Sequence, residues 1–130
     1  MEPNRAIELH DTKVTGVSWV GRDLHVAIDA YVHASNGVPA VDAGSGWIWP
    51  GVLVVEAGQL VGEAPDELTI SHGGVMVGDE EYDNVLPLPF DRAGTVVVDL
   101  RGADGRLTLS GSGVRFVATG EARWVDRFEP

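Results

Sequence analysis

The stretch "LHVAIDAYVH", residues 24–33, alternates almost without error. Leu24, Val26, Ile28, Ala30 and Val32 fall on one side of an extended chain, and His25, Ala27, Asp29, Tyr31 and His33 on the other. Successive side chains of a strand point to opposite faces, so this period predicts a strand with one buried face. Outward from it, the same period recurs to both ends, and no segment sustains an apolar stripe of period 3.6. Upstream, Arg5 to His10 and Lys13 to Val20 read as two strands separated at Asp11 and Thr12, both turn formers. "GRD" at 21–23 then makes a hairpin into the opening stretch.

Downstream, "ASNGVPAVDAGSG" (34–46) reads as a long loop. "WIWPGVLVVEAG" resumes extended structure, and Pro50 predicts an edge strand or a bulge, because proline cannot donate to a ladder. "DELTIS" and "GGVMVG" supply two short strands around residues 72–74. "DEEYDNVLPLPFDRAG" is a second irregular segment, its prolines 87 and 89 opposing regular pairing. "TVVVDLR", the turn "GADG" and "RLTLSG" form the clearest hairpin, which "VRFVATG" and "EARWVDRF" extend as a meander. The sum is eight to ten short strands in one domain, 1–130. The expected class is all-β, an antiparallel β-sandwich, with a jelly-roll variant or a barrel as alternatives. Val26, Ile28 and Val32 should face Val96, Val98, Leu100, Leu107, Leu109, Val114 and Phe116 across the core.

A chain of 130 residues buries roughly two-thirds of its unfolded surface, enough for a core without covalent staples. It has no cysteine, which removes disulfides, thiolate metal sites and cysteine nucleophiles. No secretory signal is visible in "MEPNRAIELHDTK", and no run approaches the roughly 18 apolar residues of a membrane helix. The expected setting is cytoplasmic, away from membranes. A net charge of −11 argues against nucleic acid, whose phosphates it repels, and either favours a basic protein partner or simply keeps the chain in solution.

Several chemistries lack their sequence signature. "GVSWV" misses the second glycine of a nucleophile elbow, and "DAGSGW" has the wrong spacing. No phosphate-binding loop or dinucleotide fingerprint occurs, and no cofactor is expected. His25 and His33 would lie about 26 Å apart on a straight strand, too far to share a metal. Asp79, Glu81 and Asp83 alternate as calcium ligands do, but the glycine and closing glutamate of an EF-hand loop are missing.

The aromatic residues carry the remaining signal. Trp47 and Trp49 are two apart and share a face, suited to stacking on a ligand, anchoring an interface or capping the core. Tyr31 and His33 end the opening strand close to them in sequence. These four, with Tyr82 in the acidic 79–83 turn, are the expected binding residues.

Leu9, His10, Asp11 and Thr12, followed by Val17 and the Gly21 turn, form an apolar strand, Leu-His-Asp, a hydroxyl residue and a hairpin. This segment resembles the opening of small bacterial β-rich proteins, some of them immunity proteins of toxin systems; Thr12 stands where that pattern has serine. The resemblance covers about a fifth of the chain and implies a non-enzymatic acidic protein that holds another protein. The competing expectation is a small-molecule carrier or enzyme using Tyr31, His33 and a carboxylate or histidine across the sheet.

Overall fold

A computed structural model describes residues 1–130. Eleven strands and no helix are present: β1 Asn4–Val20, β2 Asp23–Ser35, β3 Gly44–Glu56, β4 Gln59–Val61, β5 Leu68–Thr69, β6 His72–Val77, β7 Glu80–Asp83, β8 Val85–Pro87, β9 Asp91–Gly102, β10 Gly105–Ala118 and β11 Arg123–Phe128. All pairings are antiparallel and belong to one sheet, ordered β5-β1-β2-β3-β10-β9-β6-β7. β8 adds to β1, β4 to β10 and β11 to β3. The sheet curls into a half-barrel around the core, so a single bent sheet takes the place of two separate layers.

The alternation of the opening stretch sets the inner face. Leu24, Val26, Ile28, Ala30 and Val32 are all buried. They meet Val96, Val98 and Leu100 of β9, and Leu107, Leu109 and Val114 of β10, in one cluster of 22 residues. Phe116 is half-buried against its margin.

Several boundaries differ from the sequence reading, each for a local reason. Arg5–His10 and Lys13–Val20 are one strand, interrupted by a bulge where Asp11 takes a φ of 71°. The bulge moves the inward row from Ile7 and Leu9 to Val14. Buried Thr12 completes it, its hydroxyl donating to the Glu8 carbonyl (2.7 Å) and accepting from the Tyr31 N–H (3.0 Å). The first hairpin turns on two residues, Gly21 and Arg22, with Val20 opposite Asp23 and Gly21 at a φ of 60°. The β2–β3 loop covers only 36–43, because Ser35 already pairs with Gly44.

Pro50 lies on a central strand, not an edge. β3 pairs β2 along its whole length on one side, and on the other pairs β11 as far as Ile48 and β10 from Gly51 onward. Pro50 sits in the gap between those partners, where no ladder bond is lost. β8 pairs with β1 despite Pro87: Leu88 donates to the Arg5 carbonyl, and in an antiparallel ladder the intervening N–H points away from the partner. "RLTLSG" and "VRFVATG" are one strand, β10, with a register shift between Gly111 and Gly113, and β11 joins β3 instead of extending the meander.

Candidate functional site

The open end of the half-barrel forms a mouth. Trp47 and Trp49 face inward, opposite Val32 and Ala30 of β2. Phe116 enters from β10, and its ring lies against Gly51, where a Cβ would come within 2.4 Å of it. The Trp49 and Phe116 rings meet edge to face, 6.3 Å apart at 71°. The Trp49 indole N–H donates to the Gly120 carbonyl (2.8 Å), and Thr119 donates to the Pro50 carbonyl (2.9 Å), so the chain leaving β10 folds over the gap at Pro50. Arg5, from the start of β1, places its guanidinium 5.9 Å from the centre of the Trp49 ring. Leu88 and Pro89, joined by a cis peptide bond, form the far wall. Together with Pro3 and Ala118 these residues enclose a cavity of about 280 Å³, open to solvent. Trp47 lies beside it, its indole N–H donating to Ser45 Oγ (2.7 Å). That hydroxyl donates to Glu2 (2.7 Å) and holds its carboxyl below the usual range.

Tyr31 and His33 point to the opposite, outer face. The Tyr31 hydroxyl crosses above Gly46 and donates to Asp126 of β11 (3.0 Å). Burial, then the hydrogen bond and charge of Asp126, with Glu8 and Asp11 further off, raise its pKa strongly. His33 is buried, 1% exposed, with its ring edge-on to Phe128 at 4.5 Å. Its Nδ1 accepts the Ala40 N–H and thereby ties down the 36–43 loop, while Nε2 has no partner. His33 therefore opens onto neither the mouth nor Tyr31. The sheet separates Trp47 and Trp49 from Tyr31 and His33.

Tyr82 lies at the other end of the sheet, on β7. Its ring meets Phe90 edge to face at 5.0 Å, and its hydroxyl accepts from Arg92 Nε (3.0 Å) and donates to Glu80. On the outer face beside it, a groove of about 310 Å³ runs across β7, β6 and β9. Its floor is Met76 and Val97, directly opposed across the ladder and 45% and 40% exposed. Glu81 and Asp83 form the β7 rim, with His72 3.6 Å from Asp83. On the β9 rim, Asp99 is bonded by Arg106 (2.8 Å) and Arg101 (3.0 Å), and these cations, Arg106 foremost, lower its pKa. The β7 rim carries no comparable fixed cation. It continues into the exposed Asp79 of the β6–β7 turn, whereas Glu80, opposite inward Val77, lies on the other face and accepts from the Tyr82 hydroxyl.

The groove floor and Arg5 were not singled out in the sequence. Val97 had a visible signal, being the outward residue between inward Val96 and Val98. Arg5 had none, because its neighbours at the mouth come from β3, β10 and the segment after β8. No group of three or more His, Asp or Glu side chains is arranged to hold a metal ion. No family model, curated protein or solved structure matches the chain.

Proposed function

We propose that this chain is a non-enzymatic binding module that engages a protein partner with a basic surface, in an immunity-like or adaptor role in the bacterial cytoplasm. The observation that carries this reading is the groove on the outer face of β7, β6 and β9. An apolar floor, Met76 and Val97, is bordered by Glu81 and Asp83 and prolonged by Asp79 of the β6–β7 turn. Interfaces combine such parts: desolvated apolar contact supplies affinity, and charged rims set register and speed encounter. A net charge of −11 acts in the same direction from a distance. The carboxylates of the short edge strand β7 also discourage indiscriminate strand pairing, leaving side-chain contact as the favoured mode.

The reading is tested by the association rate of a captured partner as salt is varied. Between roughly 50 and 500 mM the screening length falls from about 14 to about 4 Å, so steering by exposed carboxylates is largely abolished. The rate should fall at least tenfold. A rate indifferent to salt would contradict a charge-steered basic partner.

A further inference from the structure

We propose that the mouth of the half-barrel binds a small hydrophobic monocarboxylate, with Arg5 receiving the carboxylate and Trp49, Phe116, Leu88 and Pro89 enclosing the apolar body. The site lies on the inner side of the sheet, away from the acidic groove, and stands independently of the partner proposed for that groove.

Two observations converge on this ligand class. The first is the state of Arg5. Four of the eight arginines, Arg101, Arg106, Arg115 and Arg127, hold a carboxylate within 3.0 Å; of the four that hold none, Arg5, Arg22, Arg92 and Arg123, Arg5 is the one that lines the apolar mouth. Arg5 holds none in a chain with twenty acidic residues; its one hydrogen bond uses Nε, to the Glu2 carbonyl at 3.3 Å. The nearby Glu2 carboxylate is engaged by Ser45. Both terminal nitrogens of the guanidinium therefore lack a protein acceptor, and its Cζ lies 5.9 Å from the centre of the Trp49 ring. A planar fork with free donors matches a carboxylate in two parallel bonds. The second is the wall opposite. Two edge-to-face aromatic rings, a leucine, two prolines and an alanine line the cavity beside Arg5, and no acidic side chain does, so the local charge is opposite in sign to that of the whole molecule. At about 280 Å³ the cavity is at the small end for ligand sites and suits a single ring or short chain.

The test uses 3-phenylpropionate and its neutral amide, 3-phenylpropanamide, titrated into the full chain and followed by NMR at the Trp49 indole N–H. The acid should give a saturable shift at that resonance, with the amide at least tenfold weaker, since a charge-assisted pair is lost. Arg5→Gln should weaken the acid by a similar factor and leave the amide unchanged, with an unaltered backbone amide spectrum showing that the fold is intact. The acid–amide comparison on the unaltered chain stands even if that variant fails to fold. Equal binding of acid and amide, or a Trp49 resonance that does not move up to the solubility limit of the acid, would overturn the proposal.

Discussion

Gly46 has no side chain, and the bond between Tyr31 and Asp126 depends on that: a Cβ there would come within 2.3 Å of both partner oxygens. Placed across the glycine, the Tyr31 hydroxyl is partly buried and faces carboxylates, so it keeps its proton more tightly than in the unfolded chain. The resulting stability is full below about pH 10, where unfolded tyrosine begins to ionise, and declines as pH rises toward the higher folded value. Tyr31→Phe should flatten this alkaline limb. Urea midpoints at about pH 9 and 11 would show a larger drop for the parent chain than for the variant. Gly51 is the corresponding position at the mouth, since an added Cβ would meet the Phe116 ring at 2.4 Å and the Val117 carbonyl at 2.7 Å. Gly51→Ala should destabilise the fold by about 1–3 kcal/mol in urea unfolding, the range for overpacking a fitted site. It should also displace Phe116 from Trp49, visible in the aromatic side-chain resonances.

Among the elements, β3 joins the parts: β2 flanks it throughout, and β10 and β11 share its other side. Proline at its only interrupted ladder position should be dispensable, whereas proline where both sides are bonded should not. Pro50→Ala is expected to change unfolding free energy by less than about 1 kcal/mol, and Val54→Pro to cost about 3 kcal/mol or more. Circular dichroism with urea titration distinguishes the two. β2 was fully legible because its alternation is unbroken, and the β9–β10 hairpin because its turn residues flank two clean patterns. β1 read as two strands because a bulge and a turn employ the same residue types, here Asp11 and Thr12. The relation between Tyr31–His33 and Trp47–Trp49 was hidden in register. Val32 pairs with Trp47, an even position with an odd one, so the odd residues of β3 share a face with the even residues of β2. Nearness in sequence then placed on one corner four side chains that the sheet divides. A mouth built from β1, β3, β10 and the segment after β8 leaves no local pattern to read.

At the scale of the molecule, charge is unevenly distributed. Arg101 and Arg106 neutralise Asp99 on one rim of the outer groove, while Glu81 and Asp83 of β7, with Asp79 of the preceding turn, form the other. Between them, the exposed Met76 and Val97 supply apolar surface that a partner can cover. The mouth, with Arg5 and its aromatic wall, faces away from this groove with a different chemistry. One measurement addresses the protein-binding reading most directly: quantitative capture from host extract, comparing the parent chain with an Asp79→Asn/Glu81→Gln/Asp83→Asn variant at about 50 and 500 mM salt. The reading predicts a basic protein enriched by the parent chain at low salt and lost from both the variant and the high-salt wash. The same proteins retained in equal amount by the variant, or by the parent chain at high salt, would contradict it.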